Sequence, residues 1–336
     1  MKLKVIGLDL AKHVFHVVHE DDKRKTLKRS ELLRYFATLP RSLVAMEACG
    51  SAHYWGRELK GLGHEVKLYP PQHVKGYLRG QKNDYNDARA ILEAAVHGRV
   101  RAVEVKTAEQ QDLQVLIRAR QQVIGERTAI AHQMRGWLYE MGIVVPQSLA
   151  KLRQRVPELL EEADNGLTVK LRHILARQYQ RLVRADEEVA FYDQQIKQHV
   201  ADDEACQRLQ EIPGFGPVVS YVFRSWAGDG TQFSRGRDAA AALGVVPRQH
   251  SSGGKQVLGG ITKRGDGYVR GVLIHGARAV AMRAAGKEDA LSRWVSRLIA
   301  QRGFNKAVVA LANKLARIAW VVLARGERYQ LAQAHG

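Results

Sequence analysis

The sequence reads as an α/β N-terminal domain over residues 1–107, a helical, coiled-coil-like region over 108–201 and a mainly α C-terminal domain over 202–336. Three observations predict this. Residues 4–106 alternate short apolar runs with helix-period segments. Between Ala108 and Met141 the only helix breakers are Gly125 and Gly136, and Thr168–Val200 has no Gly or Pro at all. After residue 202 the chain opens on Ile212-Pro-Gly-Phe-Gly-Pro217, passes a Gly/Ser-rich basic stretch at Val246–Gly267 and ends in apolar helical patterns.

In order, Lys4–Leu8 predicts a strand, Val14–His19 a second and Lys25–Lys28 a basic third. Ser30 is placed to cap a helix running to about Leu39. A strand at Leu43–Glu47, a helix from Ser51 to about Leu62 and a strand at Glu65–Tyr69 follow. A helix at Asp84–His97 and a strand at Val100–Val105 complete the unit. Three successive strands followed by strand–helix alternation is how RNase H-like domains are built, an analogy of fold only. In Thr168–Val200 the apolar positions Leu171, Ile174, Leu175, Leu182, Val189 and Ile196 recur mainly at three, four and seven. They suggest an antiparallel hairpin or an intersubunit coiled coil. Pro146 and the Pro157–Gly166 segment separate the two long helices. Tyr268–Ala284 and Asn305–Ala324 are the clearest helices of the last region.

Lys and Arg number 53 against 34 Asp and Glu, a formal charge of +19. That excess favours polyanion partners through counterion release and long-range steering. Cys49 and Cys206, the only cysteines, build neither a disulfide framework nor a cysteine-rich zinc site. No unbroken run reaches the roughly 18 apolar residues of a membrane span. The N-terminal residues show no apolar segment followed by a cleavage site. The expectation is a cytoplasmic protein without a membrane partner.

Against this basic background, four acids stand out. Asp9 closes Val-Ile-Gly-Leu-Asp, and Glu47 closes Leu-Val-Ala-Met-Glu. Asp84 and Asp87 lie three apart in a helical pattern, so both carboxylates leave one face. A carboxylate following an apolar run is costly to bury unless a cation compensates. Hard oxygen ligands in this number suit two Mg²⁺ ions against a phosphodiester. His13, His16 and His19 do not make a zinc site, because on a strand His16 points away from the other two.

Two further segments carry chemistry. Ile212-Pro-Gly-Phe-Gly-Pro resembles a helix–hairpin–helix turn, in which Gly214 and Gly216 let the next helix bring N–H groups to a phosphate; a plain connecting turn reads equally well. Pro247-Arg-Gln-His-Ser-Ser-Gly-Gly-Lys255 presents a hydroxyl among Arg248, His250 and Lys255, a setting for a charged transition state or simply a polar turn. Lys263, Arg264 and Arg270 then lead into a helix as candidate phosphate contacts.

Taken in order, Gly-Leu-Asp-Leu-Ala-Lys, Met-Glu-Ala-Cys-Gly, Lys-Asn-Asp-Tyr-Asn-Asp-Ala-Arg, Ile-Pro-Gly-Phe-Gly, Pro-Arg-Gln-His-Ser-Ser-Gly and Lys-Arg-Gly-Asp span nearly the whole chain. This series resembles the insertion-sequence one-ten family of transposases, with Gly-Gly-Ile-Thr-Lys-Arg-Gly-Asp leaning toward its one-one-one-one subgroup. The resemblance implies a RuvC-like DEDD domain, a coiled coil and a C-terminal transposase domain with a catalytic serine. The DEDD set is then Asp9, Glu47, Asp84 and Asp87, holding Mg²⁺. The serine is Ser252, five residues after Pro247 and just before Gly253, with Ser251 beside it.

The resemblance also implies a bridge RNA encoded by the element that pairs with donor and target DNA. It further implies a homo-oligomer, dimer or tetramer, whose acids and serine come from different subunits, acting at the bacterial nucleoid. Two other readings stay open: a RuvC-like Holliday-junction nuclease using metal-activated water, for which Ser252 is dispensable, and a basic architectural nucleic-acid-binding protein, for which the acids are dispensable.

Overall fold

The computed structural model describes residues 3–79, 83–97 and 101–330. The chain divides into two compact units, Met1–Gln111 and Asp112–Gly336. In the first, β1 (Val5–Leu10), β2 (Val14–His19) and β3 (Arg24–Lys28) form an antiparallel meander. A 3₁₀ turn at Arg29–Glu31 leads into α1 (Leu32–Ala37). Ser30 does not cap it; Lys28 stands at the N-cap of the turn, and its backbone N–H donates to the Glu31 carboxylate at 2.8 Å. Then come β4 (Leu43–Glu47), α2 (Ala52–Gly61), β5 (Glu65–Tyr69), a short α3 (Pro71–Val74) and α4 (Asp84–Val96). The strand order is β3-β2-β1-β4-β5, with β4 parallel to β1 and β5 parallel to β4, the order of an RNase H-like sheet.

Side chains alternate across this sheet. Ile6, Leu8, Phe15, Val17, Val44 and Met46 pack with Phe36, Trp55 and Leu59 on the face covered by α1 and α2. On the opposite face Val5 and Val18 meet Ala88 and Leu92 of α4, and Ala45 meets Ala90, Ile91 and Ala94. Helix α4 sits unusually close to the strands there. A Cβ at Gly7 would collide with the carbonyl oxygen of Ala88 and lie 2.8 Å from Leu92 Cβ. Only a residue without a side chain permits that approach.

The strand expected at Val100–Val105 is not formed among the described residues, Val100 itself lying outside them. The Val103 N–H makes a single antiparallel bridge to the Leu68 carbonyl, 2.7 Å. Two residues further on, Val105 packs over Gly56 of α2, where even one added methyl would fall 2.9 Å from it.

The second unit begins along α5 (Ala108–Glu140), followed by α6 (Leu149–Glu161) and α7 (Val169–Asp202). Helices α5 and α7 run antiparallel, joined by Arg120–Asp193 at 2.7 Å and Arg127–Asp186 at 3.2 Å. Leu175, Leu182, Val189 and Ile196 form a seven-residue stripe, fully or nearly buried within the chain. Leu175 and Leu182 pack with Ile130, Met134, Leu152 and Val156, while Ile196 joins Ile117. The stripe that suggested a partner helix is thus covered in cis.

The separating segment expected from Pro157 begins later, because α6 runs straight through Pro157 to Glu161. Proline leaves the carbonyl four residues back without its donor. The Tyr179 hydroxyl of α7 donates to that carbonyl, Arg153 O, at 3.2 Å.

The remaining elements are α8 (Glu204–Gln210), α9 (Pro217–Ala227), α10 (Gly236–Ala242), the hairpin β6 (Pro247–Ser252) and β7 (Lys255–Ile261), α11 (Gly267–Met282), α12 (Ala290–Arg302) and α13 (Phe304–Arg325). Among the described residues α13 is the one helix long and apolar enough to cross a membrane. It is also the core helix of this unit, with Leu311, Leu315, Ala316 and Ala319 wholly buried.

Gly7→Ala should lower the thermal midpoint of the first unit, with an overpacking cost of about 1–3 kcal/mol. Gly61→Ala, at an open position ending α2, is the control and should be neutral or slightly stabilising. Equal midpoints for Gly7→Ala and wild type would show that α4 is free to move off β1.

Candidate functional site

Residues Val5, Gly7 and Asp9 share the α4 face of β1 by strict alternation. Glu47 ends the neighbouring parallel strand β4, two residues beyond Ala45 on the same face. Asp84 and Asp87 occupy the first turn of α4, whose start is fixed by the Asn83 side chain accepting from the Asn86 N–H at 2.9 Å. Because Gly7 lets α4 rest on β1, both helix carboxylates arrive over Asp9. All four acids predicted from the sequence therefore meet at one end of one sheet face.

The electrostatics register this convergence. Burial, then the charges of Asp87, Asp84 and Glu47, push the Asp9 carboxyl up to about 6, with His16 acting in the opposite direction. Glu47 is also raised, by burial and by Asp87. A pocket of mutually repelling carboxylates in partial burial is relieved by a cation.

His16 belongs to this site, which sequence reasoning missed. The three histidines do not converge, as expected: His19 turns to the other face, its Nε2 2.7 Å from the Tyr35 hydroxyl. His16, however, pairs directly with Asp9 in the β1–β2 register. Its Nδ1 lies 3.7 Å from Asp84 Oδ2, and Asp9, His16 and Asp84 each place a ligand atom within 4.8 Å of the others. The signal was present: in a β1–β2 hairpin with this register, position 16 opposes position 9.

Ser252 lies in the second unit. The stretch read as a polar turn is a β-hairpin, with Gly253 and Gly254 at φ 55° and 78° supplying a two-residue turn and Ser252 paired to Lys255. Gly-Gly between two short runs is the hairpin signal that its Ser/Gly composition obscured. Arg248, Ser251, Ser252 and Lys255 are all exposed, and Ser251 Oγ accepts from Gln249 Nε2 at 3.0 Å.

The other predicted contacts divide. Gly214 (φ 87°) presses on α11, where its Cβ would lie 2.7 Å from the Gly276 carbonyl oxygen, so it serves backbone packing. Gly216 has open space around it at the N-cap of α9. The Arg270 guanidinium is engaged within the chain, donating to the carbonyls of Leu243 at 3.1 Å and Arg264 at 3.0 Å. Lys263 and Arg264 are exposed beside it.

A family model described as the transposase IS116/IS110/IS902 family matches residues 206–292, and a transposase model of the DEDD, IS110 type matches residues 6–143. A probable family 20 transposase of Pseudomonas aeruginosa is 45% identical over 98% of this chain and 99% of its own length. The transposase of insertion sequence element IS1111A from Coxiella burnetii is 41% identical over 98% of this chain and 92% of its own. That of element IS1328 from Yersinia enterocolitica is 38% identical over 96% and 97%.

Asp9 gives a signed pH test. Its folded pKa lies above its unfolded value of 3.8, so its penalty is absent below about 4, grows as pH rises and is complete above about 6. In chelator, Asp9→Asn should be more stable than wild type at pH 7–8, the gap closing as pH falls through that window. Thermal denaturation curves that stay parallel from pH 4 to pH 8 would contradict the convergence of the acids.

Proposed function

Because the chain belongs to the IS116/IS110/IS902 family of insertion-sequence transposases, we propose that it cuts and rejoins DNA strands with a divalent cation held by Asp9, Glu47, Asp84 and Asp87 and with Ser252 as the attacking hydroxyl. The observation that carries this reading is the meeting of four carboxylates where β1, β4 and α4 converge, with Asp9 pushed up to about 6 by burial and then by the other three. The donors fit the ion: three partly buried carboxylates and an exposed one offer hard oxygen atoms, which suit Mg²⁺. When bound, the cation polarises the scissile phosphate and offsets the charge that develops on it.

The remaining work falls to the chain. Ser252 Oγ attacks phosphorus and loses its proton, the bond from phosphorus to the 3′-oxygen breaks, and a phosphoserine ester and a free 3′-hydroxyl result. A 3′-hydroxyl from a new strand reverses the step, so the bond energy is conserved. Lys255, paired with Ser252 across the turn, places positive charge beside the reacting phosphate, and exposed Arg248 adds to the positive potential of the same hairpin.

The proposal includes a guide RNA encoded by the element, donor and target DNA, and a homo-oligomer of two or four chains in which acids and serine come from different subunits. A charge of +19 supports polyanion partners of this extent. The hairpin supports a composite site. A two-stranded ribbon is marginal alone, and Val257 and Leu258 are left exposed on it, so it gains order by docking.

A suicide substrate should trap a covalent protein–DNA adduct that survives denaturation. Ser252→Ala should abolish it, whereas Ser251→Ala should keep most of it. An adduct that instead vanishes in Ser251→Ala moves the nucleophile by one residue, and none at all from wild type favours hydrolysis by water, as in a Holliday-junction nuclease. Mixing Asp9→Ala with Ser252→Ala protein should restore part of the recombination lost in each, and a mixture as inactive as its components would argue against a composite site.

A further inference from the structure

The four-acid reading leaves His16 without a task, although its ring is aimed at the carboxylates. The side chain is 12% exposed, against 67% for Asp84. Its Nδ1 is buried and has no hydrogen-bond partner. At 3.7 Å from Asp84 Oδ2 the pair is beyond hydrogen-bond range. A buried ring nitrogen left unpaired is costly, and such a group in a functional site calls for a partner.

The ring is held in place. It meets the Tyr85 ring edge-on, 5.0 Å between centroids, and the Tyr85 hydroxyl is fixed 2.7 Å from Thr26 Oγ1. Strand register sets it opposite Asp9. Ligands around an ion with bonds of about 2.1 Å stand about 3 Å apart when adjacent and about 4 Å when opposite. Asp9, His16 and Asp84, all within 4.8 Å, need only slight closure to meet that spacing.

We propose that His16 is a direct nitrogen ligand of the divalent cation, sharing it with Asp9 and Asp84, so that a first-row transition ion such as Mn²⁺ gains an affinity from the ring that Mg²⁺ does not. The proposal rests on the four-acid reading. Imidazole nitrogen suits first-row transition ions, whereas Mg²⁺ is served by oxygen and water. Neutral imidazole offers the lone pair of Nδ1 and keeps its proton on Nε2. Tyr85, by fixing the ring plane, orients the ligand as an outer partner does in other metal sites.

The test is Mn²⁺ binding to the full chain without nucleic acid, followed by electron paramagnetic resonance, with pulsed detection of nitrogen coupling. Wild type should show directly coordinated ¹⁴N, which becomes ¹⁵N on labelling the unmutated protein with ¹⁵N-histidine. His16→Gln should lose the coupling and weaken Mn²⁺ at least about ten-fold, the loss that even an outer partner produces. Competing Mg²⁺ should weaken by less than about three-fold, since an oxygen-preferring ion gains little from imidazole. Mn²⁺ binding that depends on Asp9 but shows no nitrogen coupling, or coupling that persists in His16→Gln, overturns the ligand role and leaves the four-acid reading standing. Absence of Asp9-dependent binding overturns both.

Discussion

The first unit depends on how closely α4 lies on β1. Helices usually rest on sheets through side chains, which hold the backbones apart. Here Gly7 contributes none, and Ala45, Ala88, Ala90 and Ala94 contribute little, so the helix backbone descends onto the strand. That contact sets the height of the α4 N-terminus, and with it the position of Asp84 and Asp87 over Asp9. Charge repulsion resists the arrangement and packing enforces it. Carboxylates held together against their mutual repulsion follow directly from a glycine two residues before an aspartate.

The same device recurs in the second unit, in other service. Gly214 and Gly276 let the turn before α9 touch α11 backbone to backbone. Gly244 and Gly265 do so between the end of α10 and the Lys263–Arg264 segment, which Arg270 ties down further. These contacts anchor both ends of the β6–β7 hairpin while its tip, with Ser252, stays exposed. A base held by backbone contacts and an exposed tip fit the proposed role of Ser252 as an attacking hydroxyl.

Much of this was legible in the chain. The strands at Val14–His19, Leu43–Glu47 and Glu65–Tyr69 and the four acids lie where apolar alternation and helix spacing placed them. β1 runs to Leu10 rather than Leu8, so Asp9 sits inside the strand instead of past its end. Signals that live in pairing rather than in local pattern were not legible. His16 reads only as the histidine that points away from His13 and His19 until strand register opposes it to Asp9. Pro157 reads as a breaker until Tyr179, from another helix, replaces the donor it lacks. The 3₁₀ turn before α1 and the bridge at Val103 likewise depend on contacts that no window of sequence contains.

The central claim, that closeness of α4 to β1 builds a cation site, is tested most directly by crystals grown with Mn²⁺ and measured at its absorption edge. Anomalous density enclosed by Asp9, Glu47, Asp84 and Asp87 is the expected result. Ordered Mn²⁺ elsewhere in the first unit, or carboxylates found instead in ion pairs with lysine or arginine at full Mn²⁺ occupancy of the medium, would contradict it.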